Sequence, residues 1–179
     1  MEWTCRCGAV AAEIDPRGGT RAVCYCGSCR RFSALTDAGD ALDAYGGSDL
    51  YQVAPENARI TRGADKLAWV RLTAKGPLRW HTTCCNTPFA NTLATPSVPF
   101  LTVMSHRFSD PDALGPVAIR VFRREATGKV PDDGTGGTLP LLLAFVPRAL
   151  KSRLTGGWRR NPLFDDHRRP IAGGRMLGD

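Results

Sequence analysis

The chain has 179 residues, 42% hydrophobic and 23% charged, with a net charge of +7. That length bounds it to one domain with an appendage, or two small domains, with a modest core. The composition excludes a disordered or fibrous chain, and no apolar run approaches the roughly 18 to 20 residues that span a bilayer, so a soluble, cytoplasmic protein is expected.

Short strands separated by turn residues are predicted from Trp3 to about Phe108, in keeping with 19 glycines and 13 prolines. Ala9–Ile14 alternates weakly and ends at the turn cluster Asp15-Pro16-Arg17-Gly18-Gly19. Arg21-Ala22-Val23 leads into a cysteine cluster, and Asp37 to Asp49 reads as an acidic loop. Tyr51–Val53, Ala58–Thr61, Leu67–Leu72 and Leu78–His81 are strand candidates with turns between them, which together resemble a meander. Leu101–Met104 and Val117–Phe122 are further strands.

A Gly/Asp/Pro linker from Thr127 to Gly137 separates a predicted domain over 1–126 from a predicted linker, basic helix and tail over 127–179. In that second part Thr138 is suited to cap a helix, with Pro140 in its first turn. Leu139, Leu142, Leu143, Val146, Leu150 and Leu154 recur at spacings of three and four, one apolar stripe on a helix that Pro147 should kink or split in two. The expectation is an amphipathic helix packed on the domain with its charges in water. Basicity belongs here: residues 1–114 hold 12 Lys and Arg against 11 Asp and Glu, whereas residues 115–179 hold 12 against 6. A basic helix leaves weak contact with an anionic surface open. Nucleic acid is disfavoured, because no recognition-helix pattern is present and Trp158 is the lone aromatic among the tail arginines.

The chemistry lies in the cysteines. All seven fall into three clusters: Cys5 and Cys7; Cys24, Cys26 and Cys29; Cys84 and Cys85. Short-spaced thiols brought together from distant segments suit zinc, which thiolates hold tetrahedrally at about 2.3 Å. The glycines after Cys7 and Cys26, and Asn86 after Cys85, suit the tight turns such a site needs. A disulfide framework would call for an oxidising compartment, usually a secretory signal and an even cysteine count, none of which the sequence offers. Seven thiols cannot fill two four-coordinate sites. Cys5, Cys7, Cys84 and Cys85 can close one structural site, leaving Cys24, Cys26 and Cys29 around a second ion with an open position, the mark of a catalytic metal. One shared ion with spare thiols, and a fourth ligand from His81 or His106, remain open at this level.

The order Cys-Arg-Cys-Gly-Ala-Val, then Cys-Tyr-Cys-Gly-Ser-Cys-Arg-Arg-Phe-Ser, then a late Cys before Asn-Thr-Pro-Phe resembles the glutathione-dependent formaldehyde-activating enzyme family, which includes centromere protein V. The resemblance covers roughly residues 1–110. It implies a zinc-containing β-tent, mainly β, with Cys5, Cys7 and Cys85 as structural ligands and Cys24, Cys26 and Cys29 around a catalytic zinc. It also implies a small thiol or aldehyde adduct as substrate, glutathione as co-substrate and carbon–sulfur lyase activity. Arg30 and Arg31 would then meet the cofactor's carboxylates. The family's late pair is C-x-x-C-G; here it reads Thr82-Thr83-Cys84-Cys85-Asn86, so Cys84 is displaced by two positions and its role is open. No catalytic acid or base is singled out, Ser33, Thr36 and His81 all being candidates. The alternative function is a non-catalytic zinc module whose basic helix binds a partner, membrane surface or nucleic acid.

Overall fold

The computed structural model describes residues 1–135 and 137–177, apart from the side chain of Thr138. In chain order it contains β1 (Glu2–Thr4), β2 (Ala11–Ile14), β3 (Thr20–Cys24), α1 (Gly27–Leu35), β4 (Ser48–Val53), β5 (Ala58–Arg62), β6 (Leu67–Arg71), β7 (Leu78–Thr82), β8 (Pro88–Thr92), β9 (Leu101–Met104), β10 (Ile119–Val121), α2 (Thr138–Leu154) and β11 (Gly174–Met176). The protein is mainly β. A small antiparallel sheet is ordered β1-β2-β5, and a large one β10-β3-β4-β9-β8-β7-β6-β11. In the large sheet only the edge pairs β10/β3 and β11/β6 are parallel.

Successive strand residues point to opposite faces, and here that alternation sorts most of the interior into two cores, beside a small third cluster of Phe32, Val70 and Leu72. Tyr51 and Val53 of β4, Leu78 and Trp80 of β7, and Leu101 and Val103 of β9 join Trp3, Ala12 and Ile14 in the core shared with the small sheet. Their neighbours turn the other way: Leu50 and Met104 meet Ala22, Cys24, Ile119 and Val121 in a second core, on the face that carries Cys29 of α1. Trp3 is fully buried, its ring packed at 4.5 Å from that of Phe89 with a tilt of 53°, and donates from Nε1 to the Met104 carbonyl.

The strands from β2 to β7 and β9 to β10 overlap the predicted runs, although β4 begins at Ser48, inside the predicted loop. The meander expected over Tyr51 to His81 is not formed, because β5 joins the small sheet and β4 pairs with β3 and β9; the meander is instead β6 to β9. Four elements escape the sequence reading: β1, α1, β8 and β11. The strand β8 is buried at every residue, although Pro88 and Asn91 are residue types that strands disfavour. Pro88 is tolerated as its first residue, where the ladder loses least. Asn91 Nδ2 donates to Thr102 Oγ1 at 3.0 Å and the Trp80 indole N–H to Thr92 Oγ1 at 2.9 Å, so the sheet itself satisfies the polar side chains.

The helix α2 begins at Thr138 with Gly137 in the cap position, and Pro147 lies inside it without splitting it. Its orientation overturns the expectation. The leucine stripe faces outward, with Leu139, Leu143 and Leu154 exposed at 66%, 66% and 79%. The opposite face packs instead: Arg148 donates to the Gln52 carbonyl and to Thr20 Oγ1, and buried Ser152 donates to Glu56 Oε2 at 2.7 Å. The chain beyond α2 returns to the body. Leu163 and Phe164 enter the main core, Phe164 meeting Trp80 edge-on at 6.4 Å, and β11 extends the large sheet beside β6. Among the described residues no helix is long and apolar enough to cross a membrane.

Candidate functional site

The cysteines converge at two places: Cys5, Cys7, Cys84 and Cys85 at one, Cys24, Cys26 and Cys29 at the other, the sulfurs of each group all within 4.8 Å of one another. All seven are free thiols.

The first group is made by two hairpins. Between β1 and β2 the turn is closed by Gly8 N–H to the Cys5 carbonyl at 2.9 Å, with Gly8 at φ 76, a left-handed position that glycine occupies without strain. Between β7 and β8, Asn86 takes φ 53, as the sequence predicts for a tight turn, and its Nδ2 donates to the Leu35 carbonyl. Cys84 lies 3.3 Å from Cys7, 4.0 Å from Cys5 and 3.8 Å from Cys85. Sulfurs bound tetrahedrally at zinc–sulfur distance stand about 3.8 Å apart. Cys84 therefore belongs to this group despite its displaced position. Arg6 ties the two hairpins together, its backbone N–H donating to Thr87 Oγ1 and its guanidinium to the Cys85 carbonyl. The buried Val10 N–H donates to Cys5 Sγ at 3.2 Å, and the Thr82 and Thr87 hydroxyls contact Cys85 Sγ at 3.4 and 3.1 Å. Burial works to raise Cys85, but the bonds from Thr82 and Thr87 outweigh it and lower the thiol to about 5. Cys84 is pushed up to about 12, first by desolvation and then by the neighbouring sulfurs.

The second group forms where β3 hands over to α1. Cys24 ends the strand, Cys26 holds the helix cap position in extended conformation, and Cys29 sits in the first turn. Gly27 is thus a helical residue rather than a left-handed turn, its N–H donating to Glu125 Oε2 at 2.9 Å. The helix N-terminus offers partial positive charge to these sulfurs and favours thiolate. Cys24 and Cys26 are 3.4 Å apart. Hydrogen bonds from Cys24 and Cys29 hold Cys26 far below an ordinary thiol, while those same contacts and burial push Cys24 up. Among the described residues no histidine, carboxylate or fourth cysteine joins the trio. His81 and His106 lie apart from both groups, each with a buried Nδ1 that lacks a hydrogen-bond partner among the described residues.

The trio lines a cavity of about 320 Å³ on the second face of the large sheet. Its floor draws on six adjacent strands, through Val121, Cys24, Gln52, Thr102, Asn91 and Arg79 among others, and Leu141 of α2 contributes to the wall with Phe100 and Phe122. The walls are largely apolar. The guanidinium that meets the sulfurs is that of Arg79, which sequence reasoning missed. Arg79 is buried, its Nη1 lying 3.8 Å from Cys29 Sγ and 3.1 Å from Asn91 Oδ1, and its Nη2 donating to Ser28 Oγ at 2.7 Å. No carboxylate pairs with it among the described residues. Gln52 Oε1 is buried, on a cavity-lining residue, and without a partner. Arg30 turns away, donating to the Tyr25 and Glu125 carbonyls, and Arg31 is exposed on α1; neither lines the cavity. Ser33 and Thr36 bond to the backbone carbonyls of Ala38 and Phe32, and His81 lines a separate cleft with Trp69 and Asn86.

The donor chemistry fits a thiophilic metal at both places. A buried arginine without a carboxylate needs an anion, and three thiolates around a divalent ion leave one negative charge to match it. Fold and site together define a mainly β protein with two cysteine clusters able to hold metal. The chain belongs to a family of unknown function, DUF6151, whose profile matches residues 1–173. No curated protein matches it. Among solved structures it is similar to the crystal structure of a Rhodobacter sphaeroides protein, at 22% identity and a TM-score of 0.45, over 65% of this chain and 97% of that one.

Proposed function

We propose that this is a two-zinc protein of β-tent type, with a closed structural site at Cys5, Cys7, Cys84 and Cys85 and an open site at Cys24, Cys26 and Cys29 that makes or breaks a carbon–sulfur bond in a thiol–aldehyde adduct. The observation that carries the reading is the convergence of three sulfurs, with no fourth protein ligand among the described residues, on a ligand-sized apolar cavity. The resemblance in cysteine order to the glutathione-dependent formaldehyde-activating family supplies the reaction class. Bound at the trio, zinc would supply Lewis-acid polarisation and favour the thiolate form of an entering thiol. The chain's own residues do the rest. Arg79 balances the thiolate charge and, through Ser28 and Asn91, fixes the first turn of α1 against the sheet. Gln52 Oε1 offers an acceptor to a ligand N–H or O–H, and the apolar walls exclude water. Addition joins the thiol sulfur to the carbonyl carbon and moves the thiol proton to the aldehyde oxygen; cleavage is the reverse.

Glutathione carries two carboxylates, and Arg79 is the one cationic residue on the cavity wall among the described residues. With Arg79 already matched to the thiolates, an adduct with an apolar, uncharged body suits this wall better. Cobalt substitution tests the reading: adding a thiol to the cobalt-loaded protein should intensify the sulfur-to-cobalt charge-transfer band, and Cys26→Ser should abolish the response. A spectrum that no thiol alters would reject the open site.

A further inference from the structure

The outward stripe of α2 has no counterpart in the function above. Six large apolar side chains, Leu139, Leu142, Leu143, Val146, Leu150 and Leu154, stand at one-turn spacings on the exposed face of a 17-residue helix. An isolated exposed leucine is ordinary, whereas a contiguous stripe marks an interaction surface. The helix is held to the body by its other face, through Leu141, Ala144 and Phe145 together with the bonds of Arg148 and Ser152, so the outer stripe takes no part in docking it. The fold thus fixes this apolar face outward.

What covers it is indicated by charge. From residue 138 to residue 164 the sequence contains the exposed Lys151, Arg153, Arg159 and Arg160, besides the body-facing Arg148, and no acidic residue. At the C-terminal end of the stripe Arg153, Arg159 and Arg168 gather round the Trp158 ring, at 4.6, 5.0 and 5.0 Å from its centroid. None of the three is ion-paired among the described residues. Apolar surface bordered by free cations complements lipid tails beneath anionic headgroups. A self-complementary dimer would need acidic groups opposite these cations; residues 138–164 offer none, and the next along the chain, Asp165 and Asp166, lie off the helix in the cleft beside Trp158.

We propose that α2 is a membrane-surface helix that lays its leucine stripe into the interface of an anionic phospholipid bilayer. The same helix borders the cavity. Leu141 lines it, Phe145 packs on cavity-lining Phe100 at 5.9 Å, and half-exposed Phe122 lies on its rim. Docking sets the cavity beside the lipid, the place from which an apolar ligand would enter.

Flotation of the full chain with vesicles of mixed phosphatidylcholine and phosphatidylglycerol tests this directly. The protein should float with these vesicles and far less with phosphatidylcholine alone. The triple variant Leu142→Ser, Leu143→Ser, Val146→Ser should bind at least roughly tenfold more weakly. Lys151→Glu, at an exposed position, should weaken binding and reduce its dependence on salt. Circular dichroism and thermal melting establish that each variant is folded. No flotation on either vesicle, or flotation that the triple variant leaves unchanged, would overturn the proposal. So would a concentration-dependent dimer that the triple variant dissociates in the absence of vesicle binding. Because flotation requires no metal or substrate, its outcome is independent of whether the thiolate site is catalytic.

Discussion

The Arg79 guanidinium lies against Cys29 in the interior, Nη1 at 3.8 Å and Nη2 at 3.9 Å from Sγ, without a carboxylate partner among the described residues. With a divalent ion held by the trio, one negative charge would remain, and Arg79 would match it across α1 and β7. Arg79→Ala should leave that negative charge unmatched and lower metal affinity at Cys24, Cys26 and Cys29 by roughly tenfold to a hundredfold, with little effect on the other cluster. Arg79→Lys should recover part of this, keeping the charge but losing the fork that reaches both Ser28 and Asn91. Competition with a chromophoric chelator measures both sites.

The four-cysteine cluster joins the β1–β2 hairpin to the β7–β8 hairpin, and its loss should appear as lost stability. Cys84→Ser should destabilise the zinc-loaded protein by about 3 kcal/mol, a fall in Tm of roughly 6 to 12 °C for a chain of this size. Strong chelation should lower the wild-type Tm further and leave the variant closer to it. A Cys84→Ser protein that melts with the wild type would remove Cys84 from the cluster.

The orientation of α2 makes a sharp contrast between two of its residues. Arg148→Ala abandons the buried Gln52 carbonyl and Thr20 hydroxyl and should cost about 1 to 3 kcal/mol. Leu143→Ser, at an exposed position, should change stability by no more than about 0.5 kcal/mol. Urea denaturation reads both; the opposite ranking would mean that the stripe is the packed face.

Burial pushes the His106 imidazole below its ordinary value; Asp40 pulls against it, Arg107 adds to the depression and Asp49 opposes it. The native state then binds this proton less readily than the unfolded chain. Its share of stability is complete above the unfolded value of about 6.5 and is lost as pH falls below it toward the folded value. Acid also protonates zinc-binding thiolates, so the test is a difference: His106→Gln should flatten part of the loss between about pH 7.5 and about pH 5 relative to wild type. Parallel curves would show that His106 titrates normally.

Much of this was legible from the sequence because the signals are local. Cysteine spacing marks both clusters, and alternation marks most strands. The helix α1 was hidden because its buried face is short, Cys29, Phe32 and Ser33, and is interrupted by Arg30 and Arg31. Arg79 looked like any polar strand residue; only the pairing of β7 with β8, which sets it beside Asn91, and the seating of α1 reveal it. The stripe on α2 announced an apolar face but not its direction. Periodicity reports that a face exists, and the bonds of Arg148 and Ser152, on the opposite side, decide which way it points.

The most direct measurement is metal stoichiometry read together with zinc K-edge absorption on wild type and Cys24→Ser. Two zinc ions per chain are expected, one in each cluster, with sulfur-dominated first shells. Cys24→Ser should retain one ion in an all-sulfur environment. A single ion in the wild type, or two ions unaffected by Cys24→Ser, would contradict the two-site arrangement.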